Sequence, residues 1–495
     1  MRVQTLTFHL DHRAGGLTGS YRFIAGIGPH VLLAVCVFVG SLYANWSKSL
    51  TPQIQSLQHG EGYFFFTPVV PVGLPPSAAT TSQVSEQKGP QTALAPEPQL
   101  NEPSANMAAP TAAFGQPNCR NTSAFEPWLA DFKKEAAAKG ISQSTIAAAS
   151  PYLVLDQRII NIDRGQRFFA QNFLEISDKM LAGGRLPGGA AQIKKHQATF
   201  AREEKDFGVP APVITAFWGL ESDFGAGQGK DQAIKSLATL AYDCRRSEMF
   251  RGHLFNALRL IERGDLRADE MIGSWAGELG QTQMMPSEYM AHAIDYDGDG
   301  RRNLIKSAAD VIGSTGKYLV YLGWKRGEPW LQEVRVPENL PWKEADLSIQ
   351  HPRSKWVAWG VTRADGKPLP NDALPASVVL PLGRFGPSFL AYDNFQAYLK
   401  WNQSLNYSLT AAYYATRLDG APPMHRGSSN IPKISFEETR ELQQLLEKRG
   451  YDVGRIDGVL GLKSRVAIRD TQIKFGLPAD GWPTAELLAR LRTGR

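Results

Sequence analysis

Apolar and polar positions alternate differently along the chain, and the changes of period divide it. Between residues 121 and about 330 apolar side chains recur at helical spacing: the stretch from Glu126 to Lys139 carries one apolar face, and Leu254 to Arg263 repeats the pattern. Pro210-Ala-Pro-Val-Ile-Thr-Ala-Phe-Trp-Gly-Leu220 is apolar on every side and has prolines where a helix begins, so it predicts a buried helix. From about Gln332 to Asp393 the period shortens. Val334-Arg-Val336, Trp356-Val-Ala-Trp359 and Val378-Val-Leu-Pro-Leu382, separated by Pro and Gly, predict short strands of an inserted subdomain, with helix resuming at Phe395.

Both ends differ from this middle. Arg13 and Arg22 precede an apolar run from about Phe23 to Ala44, dense from Val31 to Val39, which fits a secretory signal and is just long enough for a membrane span. Positive charge before the run keeps the N-terminus cytoplasmic and sends the remainder outward. Residues 1–50 are therefore expected to be a signal sequence or membrane anchor, with cleavage after Ala44 and an uncleaved anchor both open. Residues 51–118 form a linker, rich from about 70 onward in Pro, Ala, Gln and Ser and too poor in aromatics to fold. A core unit is expected over 119–428 and a separate module over 433–495. In the latter, Leu442, Leu445 and Leu446, then Val466, Ile468 and Phe475, show helical spacing around Gly450-Tyr-Asp-Val-Gly454, Ile456-Asp-Gly458 and Gly476-Leu-Pro-Ala-Asp-Gly-Trp482.

Composition narrows the function. Aromatics make up 10% of the chain with 11 Trp, as carbohydrate clefts favour, and the net charge of +6 suits an anionic envelope. Nucleic acid is excluded as a partner, because the basic residues are dispersed and an exported chain would not meet it. Of three cysteines, Cys36 lies in the apolar run. Cys119 and Cys244 lack neighbouring metal ligands and are expected to pair in an oxidising compartment, two separate buried thiols being the alternative.

The candidate chemistry centres on Glu221, in Trp218-Gly-Leu-Glu-Ser-Asp-Phe-Gly225 at the end of the apolar helix. A carboxyl in such surroundings stays protonated near neutral pH and can act as an acid on a glycosidic bond. Gly225, Gly227 and Gly229 then supply a loop able to approach a ligand closely. A second segment, Ser274-Trp-Ala-Gly-Glu-Leu-Gly-Gln-Thr-Gln-Met-Met-Pro-Ser287, offers small residues and amides to a sugar.

These two segments resemble the lytic murein transglycosylases of the membrane-bound B type, whose patterns are G-x-E-[ST]-x-[FW]-G and S-[YW]-A-G-x-x-G-x-x-Q-x-M-P-S. Family-like segments continue to about residue 420. The resemblance implies a mainly α, lysozyme-like catalytic domain with a small β-containing insertion, in which Glu221 is the sole acid and base. It places Ser274 beside that carboxylate, Gln283 and Tyr318 among the sugar contacts, and Asn402 on the substrate acetamide or on the acid. The implied reaction cleaves the MurNAc–GlcNAc bond of peptidoglycan strands without water, leaves 1,6-anhydro ends in the periplasm or envelope, and requires no cofactor. Residues 433–495 resemble the three-helix peptidoglycan-binding domain.

Two departures stand out. Trp401 occupies a position where the family often has Tyr, which keeps an aromatic wall and loses a hydroxyl. Glu278 replaces a small residue and is expected to point to solvent or to an Arg. Were it to face the cleft, a hydrolysing muramidase with two carboxylates becomes the alternative reading; a non-catalytic wall-binding protein is another. Lastly, Asp295-Tyr-Asp-Gly-Asp-Gly-Arg-Arg-Asn303 matches the first half of an EF-hand loop, with Asp295, Asp297, Asp299 and Arg301 as candidate calcium ligands. Lys306 stands where the closing acid belongs, and Asp310 could replace that acid only in a different geometry. Structural calcium and a turn held by its own side chains both remain open.

Overall fold

The computed structural model describes residues 3–8, 19–24, 123–165 and 171–494. One unit, Met1–Phe64, contains an antiparallel hairpin of β1 (Val3–Phe8) and β2 (Gly19–Ile24), with Val3 opposite Ile24. Apart from Phe23 and Ile24, the apolar run read as signal or anchor lies outside the described residues, as does the linker. Among the described residues no helix is long and apolar enough to cross a membrane.

The other unit begins with helices α1 (Phe125–Ala138), α2 (Gln143–Ala149), α3 (Gln157–Gly165), α4 (Phe173–Met180), α5 (Arg185–Lys195) and α6 (Gln197–Asp206). α5 and α6 pack against α7 (Ala211–Ser222), in which every residue from Val213 to Ser222 is buried. Pro210 at its N-cap and Pro212 in its first turn start it where backbone N–H groups have no partner inside the helix. Its apolar circumference explains its central place, since a helix without a polar face cannot lie on the surface. Beyond it lie β3 (Asp231–Gln232), α8 (Ala233–Tyr242), α9 (Ser247–Glu262), β4 (Ile272–Gly273), α10 (Pro286–His292) and α11 (Ala308–Tyr321). β3 and β4 pair, tying the segment after α7 to the loop that carries Ser274.

The insertion is a five-stranded antiparallel sheet of β5 (Leu331–Arg335), β6 (His351–Pro352), β7 (Thr362–Arg363), β8 (Pro375–Val379) and β10 (Ser388–Ala391), in the order β6-β8-β10-β5-β7. β9 (Pro381–Arg384) follows β8 after a break at Leu380. The expected strand at Trp356–Trp359 is instead the end of a short helix, α12 (Arg353–Ala358). Trp356 turns inward there, fully buried, and donates its indole N–H to the Ala376 carbonyl at 2.8 Å. That cross-element bond and the packing of the ring decide against the strand reading.

Two helices close the core: α13 (Phe395–Trp401), and α14 (Leu405–Leu418), which packs along α7. The terminal module consists of α15 (Phe436–Glu447), α16 (Leu462–Lys474) and α17 (Ala485–Thr493) around Leu442, Leu446, Ile468, Leu487 and Leu491. It is docked through buried charges. Arg465 donates to the carbonyls of Leu380 (3.3 Å) and Pro381 (2.6 Å), Arg469 pairs with Asp346, and Asp480 accepts from the backbone and side chain of Arg384. Gly383 is needed at this seam, because a Cβ there would sit 2.5 Å from that of Trp482.

Candidate active site

Glu221 occupies the last turn of α7 and is completely buried. Directly after it the chain reverses through two consecutive left-handed residues, Asp223 (φ 52°) and Phe224 (φ 60°). Non-glycine residues reach that region only where their surroundings impose it. Here the imposition is visible. Ser222 donates to the Gln281 carbonyl at 2.5 Å, Trp218 donates its indole N–H to Gln281 Oε1 at 2.8 Å, and the Phe224 ring packs edge-on against Trp218. The glycine loop approaches protein backbone: a Cβ on Gly229 would overlap the Gly273 carbonyl and crowd the Ser274 nitrogen. The end of α7 and the 274–283 loop are thus joined into one wall.

The two carboxylate oxygens of Glu221 differ. Oε1 accepts from the indole Nε1 of Trp401 at 3.0 Å and from the hydroxyl of Tyr407, while Oε2 has no hydrogen-bond partner among the described residues. Burial pushes the carboxyl up to about 8, against the opposing pull of the Tyr407 and Trp401 bonds. Glu221 is therefore a neutral acid at pH 7, with one oxygen held and one available.

Trp401 does more than form a wall, because its N–H takes over contact with the acid, and the Phe217 ring stacks on it at 4.3 Å. The hydroxyl comes from Tyr407, which sequence reasoning missed. A signal was present, since Ser404 caps α14 and places Tyr407 in its first turn, just after Trp401 and Asn402 in the chain. An aromatic series leads outward from Trp401. Tyr318 lies 5.2 Å from it, Tyr321 stacks with Tyr318 at 6.1 Å and 14°, and His292 touches both tyrosines. Tyr318 is buried, whereas Tyr321 is 69% exposed.

The other expected site residues have varied partners. Gln283, in the left-handed region at φ 50°, donates to the carbonyls of Gln228 and Gly280, so its amide is engaged by the loop. Asn402 is buried; its Oδ1 accepts from Ser404 N at 2.9 Å and its carbonyl from Ser408 Oγ at 2.7 Å. Ser274 donates to Glu278 Oε2 at 2.6 Å. Of the two outcomes expected for Glu278, solvent is excluded: it is 2% exposed and accepts from Ser274, because the turn closed by Ser274 N on the Glu278 carbonyl folds its side chain inward, where Arg246 is the nearby cation.

At the acidic loop, carboxylate oxygens of Asp295, Asp297 and Asp299 lie within 4.8 Å of one another. Asp295 accepts from the N–H groups of Gly298, Asp299 and Gly300. Lys306 turns away to Glu270 at 2.7 Å, and the Arg301 guanidinium bonds the same carboxylate and the Asp265 carbonyl. Asp310 organises the loop from within, accepting from Tyr296, Asp297 and Asn303 nitrogens. Cys244 is disulfide-bonded, and its expected partner Cys119 lies outside the described residues.

A mainly helical domain holding one buried acid at the end of a central apolar helix defines a lysozyme-like class of glycan-processing folds. Comparison with known proteins specifies it further. Residues 124–416 match the Transglycosylase SLT domain, and residues 436–491 match a peptidoglycan binding domain. The chain belongs to the SLT-domain transglycosylase family. It is 28% identical over 240 residues to membrane-bound lytic murein transglycosylase B of Escherichia coli K12, a match spanning 48% of this chain and 64% of that protein, less than two thirds of its length. Among solved structures, SltB3 from Pseudomonas aeruginosa in complex with NAG-NAM-pentapeptide is 38% identical with a TM-score of 0.70, covering 74% of this chain and 100% of that one. The soluble lytic transglycosylase SltB1 of the same organism is 26% identical, covers 60% of this chain and 100% of that one, and has a TM-score of 0.52.

Proposed function

We propose that the protein is a lytic transglycosylase that cleaves the β-1,4 bond between MurNAc and GlcNAc of peptidoglycan without water, leaving 1,6-anhydro-MurNAc ends. The observation that carries this reading is the asymmetry of Glu221, one oxygen fixed by Trp401 and Tyr407 and the other without a partner among the described residues. The protonated acid gives its proton to the glycosidic oxygen as the bond to the anomeric carbon breaks. Its charge is then received by the indole and phenol donors already aimed at Oε1. The substrate's acetamide stabilises the cation-like carbon. The ionised Glu221 next takes the proton of the 6-hydroxyl as that oxygen bonds the anomeric carbon, which returns the acid to its starting state. Tyr318 and the ring of Trp401 serve as sugar platforms, with Gln283 a further sugar contact, Ser274 beside the acid and Asn402 on the substrate acetamide or on the acid.

The terminal module serves to hold the wall. Asp295, Asp297 and Asp299, with the Arg301 backbone, would hold a structural calcium ion; the gathered oxygens and the diversion of Lys306 to Glu270 favour it. Cys119 would be the disulfide partner of Cys244. An envelope location, reached through the N-terminal apolar run as signal or anchor, fits this chemistry.

Mass spectrometry of muropeptides released from purified peptidoglycan tests the proposal. Anhydro ends from the wild type, absent with Glu221→Gln, are expected. Reducing ends would favour a hydrolysing muramidase, and no release would favour a wall-binding protein without catalysis.

A further inference from the structure

Glu278 has no part in the reaction just described, yet it is almost as deeply buried as the acid. Its neighbourhood is short of positive charge. Glu221 faces it from α7, Glu288 from α10, and Arg246 from the segment before α9. Arg246 is engaged by Asp163, which Arg245 also binds, and among the described residues Glu278 has no ion pair of its own. Were Glu278 ionised, Glu221 would have to release its proton facing a second buried negative charge, with the nearby guanidinium already paired, so the ionisation of Glu221 during turnover favours a neutral Glu278.

The hydrogen bonds indicate what the second carboxyl does. Ser274 Oγ donates to Glu278 Oε2 at 2.6 Å and accepts from the N–H groups of Ala276 at 3.2 Å and Glu278 at 3.3 Å. The Ser274 N–H closes the same turn on the Glu278 carbonyl at 3.0 Å. The serine hydroxyl thus has its proton and its lone pairs committed within four residues, in a loop on which the Gly229 backbone rests.

We propose that Glu278 is a positioning residue of this site, an uncharged carboxyl that fixes the Ser274 hydroxyl and leaves Glu221 as the only member of the pair to change charge during turnover. Burial agrees with this state, since it raises the Glu278 carboxyl to about 8, Glu221 adding to the effect. The inference deepens the transglycosylase reading and rests on it.

Its test uses the full chain with Glu278→Gln, Glu278→Ala, Ser274→Ala and the double alanine variant, assayed on purified peptidoglycan beside the wild type. Glutamine accepts the serine proton and cannot ionise, so Glu278→Gln is expected to stay within about threefold of wild type with an unchanged pH profile. Glu278→Ala and Ser274→Ala should each lower kcat by about tenfold or more at similar KM, and the double variant should lose no more than either, as expected of one coupled pair. Glu278→Gln as inactive as Glu221→Gln, or Glu278→Ala as active as wild type, would overturn the proposal. A second readout needs neither turnover nor the alanine variants to fold. The infrared difference between wild type and Glu278→Gln at neutral pH should show loss of a protonated carboxyl C=O stretch, and loss of carboxylate bands would refute the uncharged state. If the wild type itself releases no anhydro ends, the functional reading fails, while the infrared result still decides the state of Glu278.

Discussion

The indole Nε1 of Trp401 meets Glu221 Oε1 at 3.0 Å across 180 residues of chain. With the Tyr407 hydroxyl on the same oxygen, it opposes the effect of burial on the acid. Trp401→Phe or Tyr407→Phe should each lower kcat by about 10–100-fold, because each removes a donor that receives the charge of the ionised acid. Either change also raises the Glu221 carboxyl further, so the alkaline limb of the pH–rate profile should move to higher pH as kcat falls. A limb that moves downward would contradict this role.

In the proposed mechanism Glu221 begins each cycle protonated, and burial raises its carboxyl to about 8. The rate kcat/KM is expected to be flat through neutrality and to fall as pH rises through about 8. A fall already complete by pH 6 would show an acid of ordinary strength.

Tyr321 is the outermost ring of the series that starts at Trp401. Tyr321→Ala should raise KM for long glycan strands severalfold and leave kcat nearly unchanged, since it removes a stacking surface remote from the acid. Rates measured across strand concentrations separate the two parameters.

Gly229 has φ 95° and lies where a Cβ would overlap the Gly273 carbonyl. Gly229→Ala should destabilise the fold by more than about 1 kcal/mol and reduce turnover, as both walls of the site shift. Chemical denaturation beside the activity assay detects both effects.

Glu203 is fully buried on α6 with neither oxygen hydrogen-bonded among the described residues, and burial raises it to about 9. The folded chain therefore keeps a proton that the unfolded chain releases above its ordinary value of 4.5, so stability falls as pH rises from about 4.5 to about 9. Glu203→Gln should flatten this dependence, recovering roughly 1–3 kcal/mol between pH 6 and 9. Melting temperatures across that range provide the check.

The central helix and its acid were legible in the sequence because a segment apolar on all sides has one place to go, and prolines mark its start. Trp356–Trp359 was not legible, since a four-residue apolar cluster fits a strand and a helical turn equally well until a distant carbonyl, that of Ala376, claims the indole. Trp401 could be read as a ring but not as a donor, because donation depends on the approach of a helix far away in sequence. For Glu278 the general rule for glutamates predicts solvent or an Arg partner. Its inward turn follows from a local hydrogen-bonded loop that no periodicity encodes.

The terminal module meets the insertion through Arg465, Arg469 and Asp480, all largely withdrawn from solvent. Separating these surfaces would break these hydrogen bonds and the Arg469–Asp346 pair together, which opposes hinging. In the proposed reading, a glycan strand held by the module is thus offered to Glu221 from a docked rather than a tethered platform. The spacing between grip and cut is a property of the fold, so lengthening the segment around residue 430 should leave it unaltered while the docked charges stay paired.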